Sequence, residues 1–273
     1  MQRCFGVRVS RTRVLEVFQL TNVQPGRPIL ALRCQEGLCA LEANGRVVET
    51  RGGIPVRHRS ERLMQAMLER LDGCRHLSLV GSSLRHDGAL DLLLAFEIHH
   101  DLVLVARDEV SLRFVECLAH DPVLSTCPGP ECSWQLPLYA PVWSAFAAHI
   151  DGLRRLCDEV SYSDFDPSCD LQSILGSAQP AVHPIRDLHT GLSLGLKTMV
   201  AALHRQHRGQ VLAPLALALG RCTLREYVDA VTASRCMLSS AFSDVRDADE
   251  RPFRSVISSE AEVMVEYCRL VSG

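Results

Sequence analysis

Lysine is nearly missing from this chain: Lys197 is the one lysine among 29 basic residues, and all the others are arginine. Most arginine codons are rich in G and C, so the skew points to a GC-rich genome rather than to a chemistry. Aromatic residues make up 5% of the 273 residues, too few to interleave with the arginines as stacking platforms for nucleic acid. With a formal charge of −3 there is also no bulk field to capture a polyanion. No apolar run approaches the roughly 18 residues of a membrane-spanning helix. The opening Met1-Gln2-Arg3-Cys4-Phe5-Gly6-Val7-Arg8 meets charge again at Arg11 and Arg13, so it reads as no signal peptide. On that reading the 12 cysteines are expected as thiols in a reducing compartment. The 47% hydrophobic content excludes a disordered polymer.

What is present divides into halves. The first reads as strands: Val7 and Val9, Val14 to Phe18, Ile29 to Cys34, Leu38 to Glu42 and Val47 to Thr50. Asn44-Gly45 marks a two-residue hairpin. A helix follows with Leu63, Met64, Met67, Leu68 and Leu71 on one face, Ser60 capping its start and Gly73 suiting its end. Leu77 to Val80, Leu90 to Ile98 and Leu102 to Ala106 read as further strands, and Asp108 opens a helix that Pro122 stops. Residues 121–141 hold five prolines and read as a surface crossing, the candidate internal boundary of what is otherwise one mixed domain over residues 1–273. The second half reads as helices at 142–157, 185–208, 224–238 and 260–270. Thr223 with Glu226, and Ser259 with Glu262, have the spacing of capping boxes. The fold class expected is α+β, with a mostly antiparallel sheet first and helices last.

Candidate chemistry is sparse. Gly191-Leu192-Ser193-Leu194-Gly195 spells the nucleophile elbow of hydrolases but sits in a helical stripe, and no acid separates Ser193 from His204 and His207. Gly81-Ser82-Ser83, followed by Asp87, Asp91 and Glu97, suggests a nucleotidyltransferase, whose metal needs two carboxylates two apart on a strand. Here Leu93 occupies the second position. Cys34-x₄-Cys39 and Cys127-x₄-Cys132 are the two cysteine pairs of matching spacing, and Cys127 with Cys132 is the better metal candidate. His99 and His100 on an extended segment would face opposite ways. Arg205, His207, Arg208, Arg221 and Arg225 form a basic patch that reads as solvated surface. No catalytic residue and no cofactor is expected.

The order of features resembles the herpesvirus cytoplasmic envelopment protein 1 family of tegument proteins. The similarity is carried by Val7 to Val17, with its Leu15-Glu16-Val17 core. It extends through Leu77 to Leu118, read as a strand, a polar turn at Asp87, paired strands at Leu90–Leu94 and Leu102–Val105, and a helix ending in Cys117-Leu118. The resemblance implies a non-enzymatic protein that pairs with a smaller, helical, lipid-anchored tegument partner. It further implies a role in cytoplasmic envelopment and virion egress at juxtanuclear Golgi membranes. No nucleic-acid partner is implied, and membrane association would be indirect.

Overall fold

The computed structural model describes residues 16–19, 27–86, 90–105, 113–124, 134–163, 179–207, 210–239 and 250–272. They fall into two compact units, Met1–His100 with Val263–Gly273, and Asp101–Glu262. The division comes at His100, inside a helix, and not in the stretch 121–141 where the sequence suggested a boundary. Strands gather in the first half and helices in the second, so the fold is α+β as the sequence implied.

The first unit is built on an antiparallel sheet of β1 (Glu16–Gln19), β2 (Leu30–Gln35), β3 (Leu38–Ala43) and β4 (Arg46–Val47), with β5 (Arg57–His58) also paired to β3. Two tight turns set its register. Glu36 and Gly37 have φ of 53° and 75°, and Asn44 and Gly45 have 52° and 77°. Both pairs therefore adopt the left-handed backbone that two-residue hairpins require, and the Asn-Gly pair is the one the sequence announces. Leu30, Leu32, Cys39, Leu41 and Ala43 are buried. Helix α1 (Glu61–Gly73) packs on β2, β3 and β5 and buries the five residues of its predicted stripe. Ser60 Oγ accepts the Leu63 N–H at 3.3 Å. At the other end, the Arg27 guanidinium donates to the carbonyls of Leu71, Asp72 and Cys74 at 2.8, 2.6 and 2.9 Å. These carbonyls lie at the helix end, where intrahelical donors run out; that of Leu71 also accepts the Cys74 N–H at 3.2 Å. A hairpin of β6 (Leu77–Val80) and β7 (Ser83–His86) follows.

The run from Leu90 to Ala106 corrects the sequence reading. It does not form two strands: helix α2 spans Leu92–Val105, while Ala106 lies outside the described residues. Leu90, Leu92, Leu93, Ala95, Phe96 and Ile98 are all buried, and a helix buried on several sides has the same unbroken apolar run as an enclosed strand.

The second unit is helical: α3 (Phe114–Ala119), α4 (Leu136–Ala145), α5 (Ile150–Ser163), α6 (Gln179–Thr190), α7 (Leu194–Gln206), α8 (Leu212–Ala218), α9 (Leu224–Ser239) and the first part of α10 (Glu250–Ser272). Four boundaries differ from expectation. The helix read over 142–157 is two, α4 and α5, and Pro141 lies inside α4 rather than opening a helix. The stripe read as one helix over 185–208 is two, α6 and α7, broken at Gly191-Leu192-Ser193. The Ser259–Glu262 capping box is absent, because α10 already begins at Glu250. The region 121–141 is not all surface crossing, since Asp121, Val123 and Leu124 are buried and α4 starts at Leu136. The Thr223–Glu226 box does form. Glu226 Oε2 accepts from the Thr223 N–H and Oγ1 at 2.7 and 2.8 Å, and Thr223 Oγ1 accepts the Glu226 N–H at 3.2 Å.

Helices α5 and α6 meet at Gly152, where a Cβ would stand 2.7 Å from Ala181 Cβ. Gly152→Ala is expected to cost about 1–3 kcal/mol by overpacking. Adding Ala181→Gly will restore part of that loss, although glycine itself costs a helix about 1 kcal/mol. Urea unfolding of the two single variants and the double variant measures the coupling.

Candidate functional site: a buried polar cluster and an exposed helix face

The residues singled out from the sequence are engaged in local structure. Gly81 has φ of 64° and, with Ser82, turns β6 into β7. The Ser82 carbonyl accepts the Glu49 N–H at 2.8 Å. Asp91 does not stand on a strand: its Oδ1 accepts the Leu94 N–H at 2.8 Å at the start of α2. Glu97 lies farther along that helix, where it accepts the Arg51 N–H at 3.0 Å. The two carboxylates thus project from a helix at positions six apart, without the strand geometry a nucleotidyltransferase uses for its metal. Asp87 falls outside the described residues. Asp91→Ala is expected to cost about 1 kcal/mol and Asp91→Asn only a few tenths, because asparagine also caps helices. Thermal melts compare the two.

Ser193 is the N-cap of α7, with Oγ accepting the Leu196 N–H at 3.4 Å. Gly191 is tight against its own helix, where an added Cβ would meet the Asp187 carbonyl at 3.3 Å. Cys127 and Cys132 lie outside the described residues. Cys34 and Cys39 are not thiols; they form a disulfide. The β2–β3 register sets them directly opposite each other. His99 and His100 belong to α2 rather than to an extended segment. His99 packs against the Tyr267 ring at a centroid distance of 5.8 Å, and His100 against Phe96 at 4.2 Å. Among the described residues, no group of three or more His, Cys, Asp or Glu side chains is placed to hold a metal ion.

His204 and His207 are the largest departure. Both are buried in the second unit, where solvated surface was expected. His204 Nδ1 lies 3.1 Å from the Gln210 carbonyl, and its Nε2 lies 3.9 Å from Cys117 Sγ. Beside it, fully buried Asp121 accepts three backbone N–H groups: Val123 on Oδ1 at 3.0 Å, and Val211 and Leu212 on Oδ2 at 2.7 and 2.8 Å. Burial pushes the Asp121 pKa up, and the three donors and His204 pull against it.

One turn on, His207 is 3% exposed and joins α7 to α9 and α10. An Arg235 terminal nitrogen lies 3.3 Å from Nδ1 and donates to the Gln206 carbonyl at 3.2 Å. Glu260 Oε2 lies 3.4 Å from Nε2. That carboxylate alone would favour the imidazolium. Burial, with Arg235 second, outweighs it and lowers the His207 pKa to about 4, so the ring is neutral at physiological pH. Tyr227, packed near this ring, is held well above the ordinary phenol range by burial and then by Glu260. The His207 imidazole and the Tyr227 phenol are therefore neutral, enclosed groups beside the Arg235 guanidinium and the Glu260 carboxylate. The cluster's geometry ties α7, α8, α9 and α10 together through polar contacts. Sequence reasoning missed Asp121, Tyr227, Arg235 and Glu260 here, since their partners lie as far as 91 positions away.

On the surface of the same unit, Phe253 and Val256 are 51% and 45% exposed. They stand three apart on α10, so they share a face. Arg235 reaches from the buried cluster to lie 5.9 Å above the Phe253 ring. Trp134 and Leu136 are a second exposed apolar pair.

The fold seen here, a strand-rich first unit and a helical second one, has a counterpart among solved proteins. The chain is similar to Atp12 from Paracoccus denitrificans, with a TM-score of 0.50 and 16% identity, covering 89% of this chain and 95% of that one. No family model matches the sequence, and no curated protein does.

Proposed function

We propose that this chain is a non-enzymatic, chaperone-like protein of the Atp12 type, whose work is to bind and hold another polypeptide. The observation that carries the reading is the extent of the likeness to Atp12, which runs through nearly the whole length of both chains. Two features support it. The acid, base and hydroxyl side chains that hinted at catalysis serve as caps or packing contacts: Asp91 and Ser193 cap helices, and His204 and His207 are enclosed. Large apolar side chains stand exposed on helical elements, and such patches serve recognition when another chain covers them.

The test is replacement. Expressed in Paracoccus denitrificans from which Atp12 has been removed, the full chain should restore the lost phenotype and co-purify with one polypeptide at a fixed ratio. Failure to restore it, together with a monomeric protein that retains no stoichiometric polypeptide, would overturn the reading.

Pairing with a lipid-anchored tegument protein is a narrower proposal of the same kind, non-enzymatic and partner-dependent. Leu77–Val80 is a strand and Phe114–Ala119 a helix that contains Cys117-Leu118. The paired strands expected at Leu90–Leu94 and Leu102–Val105 are replaced by α2. Recovery of a small acylated helical protein as the stoichiometric partner would select this version.

A further inference from the structure

Among the described cysteines, Cys34 and Cys39 stand apart because they are bonded to each other. Cys157 and Cys222 are buried thiols. Burial pushes the Cys222 thiol up to about 12 and the Cys268 thiol up to about 11, so at neutral pH these two carry almost no thiolate, the form that reacts. The disulfide sits instead at the turn end of a hairpin, one pair before the Glu36-Gly37 turn, joining residues with Cα atoms 4.0 Å apart. The two residues it joins are unequally exposed. Cys34 is partly exposed at the rim of β2 and continues into the exposed Gln35-Glu36-Gly37-Leu38, whereas Cys39 is 3% exposed.

The bond also encloses very little chain. Four residues lie between the two cysteines, and the strands they join are already paired over six residues, from Leu30↔Ala43 to Gln35↔Leu38. Stabilisation by a crosslink grows with the loop it closes, and this loop is among the shortest possible. Breaking the bond therefore leaves the hairpin paired, and the backbone keeps the two sulfurs close enough to rejoin.

From this asymmetry we infer that Cys34 is a site of reversible S-thiolation by a low-molecular-weight thiol, with Cys39 as the resolving cysteine. The external thiolate attacks Cys34 Sγ. The Cys34–Cys39 bond breaks, its electron pair goes to Cys39 Sγ, and that sulfur takes a proton from water. Cys34 is left in a mixed disulfide. A second thiol attacking the outer sulfur of the adduct releases Cys34 as a thiolate and leaves as the oxidised disulfide. The two small thiols together lose two electrons, and the protein gains them. In reverse, Cys39 thiolate attacks Cys34 Sγ and expels the adduct. His58 stands opposite Cys39 in the β3–β5 register, so the two side chains leave the sheet on the same face.

Glutathione is the probe. The oxidised full chain is equilibrated at a series of reduced-to-oxidised glutathione ratios, quenched in acid, alkylated and read by peptide mass spectrometry, with circular dichroism followed in parallel. The pair should titrate reversibly while the spectrum stays folded, and the mixed disulfide trapped in the unmodified sequence should sit on Cys34. With oxidised glutathione, Cys39→Ser should be modified at Cys34 at least tenfold faster than Cys34→Ser is at Cys39. The inference is overturned if reduction needs denaturant, if Cys39 is modified as fast as Cys34, or if the air-oxidised chain forms no Cys34–Cys39 bond.

Discussion

Asp121→Ala will cost about 3–5 kcal/mol of stability, because three enclosed N–H groups lose their acceptor at about 1–3 kcal/mol each and the chain relaxes in part. The carboxylate accepts from Val123, Val211 and Leu212, two of which open α8. Alanine leaves three enclosed N–H groups without an acceptor and a gap where the oxygens stood. Asp121→Asn should lose less, about 2 kcal/mol, because its single carbonyl oxygen can serve one side while its amide nitrogen opposes the N–H donors on the other. Urea unfolding orders the three proteins. Equal midpoints for Asp121→Ala and the unmodified chain would remove the claim that this carboxylate clamps α8.

Acid will destabilise the chain through His207 as pH falls from about 6.5 toward 4. The unfolded imidazole takes up a proton near 6.5, and the folded one resists protonation until about 4. Between those values the unfolded state binds more protons, so stability is full above about pH 6.5 and drains away as pH falls toward 4. The slope for one such histidine is at most about 1.4 kcal/mol per pH unit, or about 3 kcal/mol across the window. His99, lowered to about 4 by burial and then by His100 and His58, adds in the same direction with a smaller share because it is only partly enclosed. His207→Gln removes the titrating group and should flatten the curve between pH 6.5 and 4, whatever it does to stability at pH 7. Denaturant titrations at half-unit pH steps test this; an unchanged slope in the variant would place the acid sensitivity elsewhere.

Features written in neighbouring residues were legible in the sequence. Ser60 and the stripe from Leu63 to Leu71 specify α1, although its C-cap is Cys74 rather than Gly73; Asn44-Gly45 specifies its hairpin, and Thr223 with Glu226 opens α9. The α+β class follows from such signals. Where the reading failed, two structures share one pattern. Leu90 to Val105 has too little polar spacing to separate a strand from an enclosed helix. The stripe from Ile185 to Leu203 runs on across Ser193 because the second helix resumes in phase with the first. Ser259 and Glu262 have the spacing of a cap, but that spacing also occurs inside any helix; there the bond formed is Ser258 to Glu262, at 3.0 Å. The polar cluster was illegible for another reason. Asp121 finds Val211, and His207 finds Arg235 and Glu260, only after the helices have packed, so no local window holds both partners.

Arg27 gives the end of α1 an uncommon dependence. Helix ends ordinarily fray on their own, since their last carbonyls face water. Here the carbonyls of Leu71, Asp72 and Cys74 are held by a side chain more than forty positions earlier, at the entrance to β2. The final turn of α1 can open only when Arg27 lets go. Its amides should therefore exchange with solvent deuterium at rates set by that anchor rather than by the helix, and Arg27→Ala should speed exchange in the last turn while leaving the first turn, capped by Ser60, unchanged.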